Sequence, residues 1–384
     1  MSSNILTKYL NNSQFSQSQL GLVLRSHAGG YLVHLPILNT VILCQARGRL
    51  KKEKINILTG DIVEIADLQE VLSAKKHSAL IVKRLDRNNQ LPRPPIVNLN
   101  QVVLVMSLKN PYPNLELLDK LILHFELYLD ESRPILCFNK LDIADNDTIE
   151  TLKNIYGKLN YRMVFISALT GAGLNDLKIL LTDSITVFTG PSGVGKSSLL
   201  NLLYPDLALK TASEQSLYGK HTTTCTQLYE IQGSDNHYSW IADTPGFNLE
   251  ELDCPQPNLI AYYFKDILAL ANDCKYSNCL HISEDNCNVI ANLDKISNSR
   301  YESYKNLIPI ALEKQKALKS VSTKNESRIK IVYGKDNTIT KIPLLKKQVK
   351  FSSKSQNRQQ SKTNYLYNLA DNIHEDIDTI NNYD

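Results

Sequence analysis

Between Gln101 and Tyr204 the sequence alternates short apolar runs with longer amphipathic ones: QVVLVMSL, LELLDKLILHFELYL, RPILCFNKLD, DTIETLKNIYGKL, RMVFISAL, LNDLKILL, ITVFTG and SSLLNLLY. Strands that are apolar at almost every position are buried on both faces, unlike the strands of a half-solvated antiparallel sheet. Helices between consecutive strands supply the cover, so the pattern predicts a parallel α/β sheet. No apolar run reaches the roughly 18 residues that a membrane span needs.

The flanks have a different composition. From Gly21 to about Arg93 the chain reads as short strands, GLVLRSHAGGYLVHL, TVILCQARGRL, GDIVEIA and ALIVKRLDR, punctuated by Gly, Asn and Asp. This predicts a five-stranded OB-like barrel, with the basic residues Arg47, Arg49, Lys51, Lys52 and Lys54 in one loop suited to RNA contact. LPRPPIVNLN reads as a linker in which Pro92, Pro94 and Pro95 block helix and ladder hydrogen bonds. Beyond Leu249 the chain turns mostly helical, and after about Val321 it becomes polar and then acidic, a composition that buries little apolar surface. Within that tail RIKIVYG and NTITKI suit a local hairpin. The expected division is a flexible N-terminus (1–20), the barrel (21–93), a nucleotide domain (94–248), a helical Cys/His domain (249–320) and a polar, largely disordered tail (321–384).

Gly190-Pro191-Ser192-Gly193-Val194-Gly195-Lys196-Ser197 fits G-x-x-x-x-G-K-[ST] between a strand and a helix, the context that the motif needs. Its glycines let backbone N–H groups close around phosphate oxygens, and the helix starting through Ser197 and Ser198 adds its positive end. Lys196 reaches the β and γ phosphates, and Ser197 ligates Mg²⁺. Asn139-Lys140-Leu141-Asp142 stands at another strand end, where the Asp142 carboxylate can accept from guanine N1–H and the exocyclic amine, donors that adenine lacks. Ser167-Ala168, at the next strand end, can offer a backbone N–H to guanine O6. Together these predict GTP or GDP as ligand and disfavour an ATPase or small-molecule kinase.

Asp243-Thr244-Pro245-Gly246 fits D-x-x-G, with Asp243 orienting Mg²⁺ through water and Gly246 offering its N–H to the γ-phosphate. In the preceding GKHTTTCTQ, each of Thr222, Thr223 and Thr224 is chemically able to complete the Mg²⁺ shell. Ras-type GTPases place a water-orienting Gln after D-x-x-G; here that position is Phe247. An apolar ring cannot hold water in line, so either intrinsic hydrolysis is slow or another group substitutes, and His221 is the nearest candidate. A GTP-gated RNA-binding scaffold with negligible hydrolysis is the rival reading.

Of the seven cysteines, three join a histidine in Cys274-x4-Cys279-x-His281-x5-Cys287. Three thiolates and one imidazole make a closed tetrahedral set suited to structural Zn²⁺. Cys44, Cys137, Cys225 and Cys254 are isolated and read as small core or loop residues. An odd cysteine count speaks against a disulfide framework. The N-terminal MSSNILTKYLNNSQFSQSQ carries no apolar signal region, so a cytoplasmic address is expected. The balance of 43 Lys+Arg to 39 Asp+Glu is only mildly basic, and the whole-chain charge carries little about partners.

The motifs run in the order N-K-x-D, S-A, phosphate loop, Thr run, D-x-x-G, a rotation of the usual GTPase order. With a barrel in front and a Cys/His cluster behind, the chain resembles the RsgA (YjeQ) family of circularly permuted GTPases over roughly Gly21 to Lys314. The resemblance implies a multidomain fold: an N-terminal OB-fold barrel, a permuted α/β P-loop GTPase domain and a C-terminal zinc domain. It implies GTP hydrolysis stimulated by the small (30S) ribosomal subunit, late in that subunit's maturation, through binding of its 16S-type rRNA. One structural Zn²⁺, Mg²⁺ with GTP, a monomeric state and no membrane partner go with it. The family's G-x-H-T-T-T falls on Gly219, His221, Thr222, Thr223 and Thr224. That match makes His221 the catalytic candidate beside Lys196, and Thr223 the Mg²⁺-sensing threonine.

Overall fold

The computed structural model describes residues 20–27, 29–36, 38–53, 55–66, 79–92, 94–129, 134–204, 226–232, 238–243, 256–325, 329–333 and 339–343. The chain divides into two compact units, Met1–Asn114 with His124–Leu252, and Leu115–Leu123 with Asp253–Asp384.

In the first unit, strands β1 (Leu20–His27), β2 (Gly30–Leu35) and β3 (Thr40–Ala46) form an antiparallel meander. Helix α1 (Gly48–Lys52) follows, then β4 (Ile62–Ala66) and β5 (Ala79–Arg84). β5 runs parallel to β3 and antiparallel to β4, and β4 returns to β1, which closes a five-stranded barrel. Alternation along each strand sends Val23, Val33, Cys44, Val63, Ile65 and Ile81 inward to a common core. The basic cluster expected in a loop is partly wound into α1, where Arg49 pairs with Glu53 one turn on at 2.7 Å. The proline segment also differs from expectation. β6 (Gln90–Leu91) and β7 (Ile96–Val97) pair across it. Proline bars only its own N–H from a ladder, and burial of the flanking Leu91, Ile96 and Val97 holds the hairpin.

The parallel sheet follows as the alternation predicts. Its elements are β8 (Gln101–Ser107), α2 (Leu115–Tyr128), β9 (Ile135–Asn139), α3 (Asn146–Tyr156), β10 (Met163–Phe165), α4 (Leu174–Leu181), β11 (Ile185–Thr189) and α5 (Lys196–Leu203). β12 (Gln227–Gln232) and β13 (Tyr238–Asp243) complete it in the order β10-β9-β8-β11-β13-β12, with only β12 antiparallel to its neighbour. Every residue of β8, β9 and β11 is buried. α3 starts at Asp145, whose carboxylate accepts from the Thr148 N–H at 2.8 Å; that bond holds the Asp145 pKa below the usual carboxylate value. The strand order reverses between β8 and β11, and the crevice beyond the strand C-termini at such a point is where α/β sheets bind ligands. The sheet then continues into the barrel: Arg25 of β1, beside a register shift between Val23 and Arg25, pairs with Gln227 of β12.

In the second unit, α6 (Ile260–Tyr263), α7 (Lys265–Ala271) and α8 (Asn298–Asn325) surround an irregular segment that carries the Cys/His residues. The Arg300 guanidinium of α8 is buried and donates to Asp119 at 2.6 Å, and twice to Asp266 at 3.2 Å. It also lies 4.2 Å from the centroid of the Phe264 ring. The hairpin that the tail sequence allows is present as β14 (Ile329–Tyr333) against β15 (Ile339–Pro343).

Candidate nucleotide and metal sites

The phosphate loop turns between β11 and α5 with Gly190, Gly193 and Gly195 at positive φ. At two of them a side chain has no room: a Cβ on Gly190 would lie 2.0 Å from the Val105 carbonyl, and one on Gly195 2.4 Å from Asn139 Nδ2. The first N–H groups of α5, those of Lys196, Ser197 and Ser198 among them, have no acceptor within the helix and point outward from its positive end. Ser192 lies in the same turn. Lys196 Nζ donates to the carbonyls of Gly190 at 2.8 Å and Pro191 at 2.7 Å, which places the ammonium over the loop. Burial lowers its pKa.

Asn139 joins this loop to the segment expected to meet the base. Its Nδ2 donates to the Val194 carbonyl at 2.9 Å and its Oδ1 accepts from the Ala168 N–H at 2.9 Å, with 2% of the residue exposed. Lys140, held at φ +66°, donates from Nζ to Gly193 O at 2.9 Å and also to Asn110 O. Ser167 Oγ donates to Asp142 Oδ1 at 2.5 Å and accepts from the N–H groups of Leu169 and Thr170. The structure thus brings together Asn139, Lys140, Asp142, Ser167, Ala168 and the whole phosphate loop. In the Ser167-Ala168 pair expected to offer an N–H to guanine O6, the Ala168 N–H is bonded to Asn139, so it would reach a base only as a shared donor.

Asp243 ends β13, and its backbone pairs with Gln227, the first residue of β12. His221, Thr222, Thr223, Thr224, Gly246 and Phe247 lie outside the described residues, as do Gly219, Cys225 and Cys254. Cys44 and Cys137 are buried, and desolvation pushes both thiols up to about 12, as fits core residues.

In the second unit the ligand atoms of Cys274, Cys279, His281 and Cys287 all lie within 4.8 Å of one another, and all four residues are buried. The sulfurs of Cys274 and Cys287 are 3.8 Å apart, and each is 3.5 Å from His281 Nδ1. Zinc bonds of about 2.3 Å to sulfur and 2.0 Å to nitrogen put tetrahedral ligands about 3.8 Å (S to S) and 3.5 Å (S to N) apart. The donor set therefore fits one zinc ion. The surrounding loop is braced from outside: Tyr301 and Tyr304 hydroxyls donate to the carbonyls of His281 and Leu280, each at 2.9 Å. The Glu284 carboxylate accepts from the N–H groups of Leu280, Ile282 and Ser283.

A profile described as the RsgA N-terminal domain matches residues 20–71, and one described as RsgA GTPase matches residues 84–253. A small ribosomal subunit biogenesis GTPase RsgA of Caldanaerobacter subterraneus subsp. tengcongensis is 37% identical over 300 residues, covering 77% of this chain and 97% of the relative. The chain belongs to the RsgA family. The RsgA of Ruminiclostridium cellulolyticum is 34% identical over 81% of this chain and 98% of its own. Among solved structures, YjeQ from Thermotoga maritima superposes with a TM-score of 0.65 at 31% identity, covering 77% of this chain and 98% of its own. YloQ, described as a circularly permuted GTPase, gives 0.63 at 30% identity over 79% and 98%. A third profile, described as a 50S ribosome-binding GTPase, matches residues 185–334, from β11 onward. RsgA membership makes this chain a GTP-hydrolysing enzyme of small-subunit biogenesis, with Mg²⁺ accompanying the nucleotide. None of the described helices is long and apolar enough to cross a membrane.

Proposed function

We propose that the chain binds GTP in the crevice between the β8 and β11 ends, hydrolyses it to GDP and phosphate, and is stimulated in this by the small ribosomal subunit. The observation that carries the reading is the Asn139 bridge, which holds the base-reading Ala168 segment and the phosphate loop at one fixed spacing through two 2.9 Å bonds. In this reading Asp142 accepts from the guanine N1–H and amine, and Lys140 lies along the base edge. Gly190 to Ser198 wrap the phosphates in N–H groups, and Lys196 leaves the loop carbonyls for the β and γ phosphates. Ser197 and Thr223 would hold Mg²⁺ with help from Asp243, and the chemistry supplied there would be neutralisation of charge on the phosphate oxygens. His221 orients the attacking water in place of the glutamine that Phe247 replaces, and Gly246 donates its N–H to the γ-phosphate.

The Cys274, Cys279, His281, Cys287 zinc is structural, since four protein ligands leave no position for water. The barrel binds 16S-type rRNA through the basic residues around α1, and the protein acts as a cytoplasmic monomer whose domains follow the 21–93, 94–248 and 249–320 division. The test is GTP turnover with and without purified small subunits. A several-fold rise with subunits, lost in His221→Ala, is expected; an equal rate in both conditions would remove the ribosomal-stimulation reading.

A further inference from the structure

Where the barrel meets the parallel sheet, one buried hydroxyl bonds across the seam to the residue that precedes β12. Thr59, in the strand-like entry to β4, is 3% exposed and donates from Oγ1 to the Thr226 carbonyl at 2.9 Å, across 167 residues of sequence. Thr226 immediately precedes β12, and two residues before it the HTTT run ends. The neighbouring backbone forms a row over three strands, with Arg25 of β1 paired to Gln227 of β12 and Gln227 paired to Asp243 of β13. The backbone of Thr59 is itself fixed, since it bridges Ile96 and its carbonyl accepts from the Val97 N–H at 3.0 Å. A second contact crosses the same seam: the His34 ring of β2 meets the Trp240 ring of β13 edge-on at 5.0 Å between centroids.

We infer that Thr59 is a positioning residue for GTP hydrolysis: its hydroxyl anchors the start of β12 to the barrel and so sets where the Thr run and D-x-x-G stand relative to the γ-phosphate. The inference rests on reading those two segments as the γ-phosphate sensors. The hydroxyl touches neither nucleotide nor metal ligand, and acts by denying the Thr226 carbonyl a second position. Asn139 and Asp142, which this reading gives to binding alone, lie at other strand ends. Loss of the anchor therefore lowers kcat and spares GDP binding, a split that general loosening of the fold would not give.

The test uses the full chain with Thr59→Val, which keeps the shape and removes the hydroxyl, Thr59→Ser, which restores it, and Thr223→Ala as a control on the sensor reading. Intrinsic GTP turnover and the affinity for a fluorescent GDP analogue are measured for each. Losing one buried hydrogen bond corresponds to a kcat about fivefold lower in Thr59→Val, with GDP affinity within about twofold of the parent and Thr59→Ser near parental. An unchanged kcat in Thr59→Val beside an inactive Thr223→Ala overturns the inference and leaves the sensor reading standing; unchanged rates in both overturn the two together. A parallel fall in kcat and GDP affinity, or failure of Thr59→Ser to rescue, also overturns it. Should Thr59→Val not fold, amide exchange in the parent chain decides. Slower exchange with a GTP analogue than with GDP in both Gln227–Gln232 and residues 57–61, the segment that carries Thr59, supports the anchor, and slowing confined to the first segment overturns it.

Discussion

Asn139→Ala removes the side chain that holds the base-reading and phosphate-binding loops together. Two hydrogen bonds disappear, to Val194 O and from Ala168 N, at a position 2% exposed. Each is worth about 1 kcal/mol net, rising to about 2 kcal/mol where the partner is left buried and unpaired, so the total lies near 2–4 kcal/mol. That energy appears in two places. Where the freed loops relax, the ligand must restore their spacing and the loss falls on affinity; where they hold, it falls on stability. At 1.36 kcal/mol per factor of ten, the ceiling on affinity is a fall of about 30- to 1,000-fold. Titration with a fluorescent GDP analogue, followed by thermal melting of the same sample, reads both shares. Asn139→Asp sharpens the comparison, because it keeps the acceptor for Ala168 N–H and sets a second oxygen against the Val194 carbonyl; it should bind at least as poorly. An Asn139→Ala protein that binds GDP within about threefold of the parent and melts at the parental temperature would refute the bridge as the organiser of the site.

Two further outcomes follow from the second unit. Removing zinc with a chelator should expose the Cys274–Cys287 segment to limited proteolysis and lower the melting temperature, with re-addition of Zn²⁺ restoring both; a protease pattern that ignores the chelator would count against a structural ion. Arg300→Met removes the buried cation that Asp119 and Asp266 share and should destabilise by about 3–5 kcal/mol in chemical denaturation, with part of the loss recovered by adding Asp119→Leu. A double variant no better than the single would show that the charge itself is not the cost.

The parallel sheet was legible because β8, β9 and β11 are apolar at nearly every position, and only burial on both faces tolerates that. The gathering of the residues proposed for base and phosphate was legible for a related reason. Each sits at the C-terminal end of a parallel strand, so the topology that the alternation predicts already gathers Asp142, Ser167 and Gly190 at one edge. The metal quartet was carried by side-chain chemistry and spacing alone. Contacts between distant segments left no such trace. Nothing in Arg25, an ordinary strand residue, marks it as the partner of Gln227, and the Asp119–Arg300 pair spans 181 residues with no local pattern. The proline hairpin left no local pattern, because the prolines lack N–H groups while their neighbours keep theirs: Leu91 and Ile96 pair around Pro92 to Pro95. The Ala168 N–H bond to Asn139 was equally hidden, since a backbone donor carries no sequence signature of which acceptor it takes.

The rotated order of the motifs has a mechanical side. The chain enters the parallel sheet at the start of β8 and leaves it at the end of β13, and β11 pairs in parallel with both. Traction applied between the barrel linker and the residues beyond Asp243 therefore runs along the strands and tries to slide them past one another. Sliding loads many ladder bonds at once, whereas peeling an edge strand would break them one at a time. A GTPase strung this way can take up force at its two covalent ends without tearing open the sheet that carries its nucleotide.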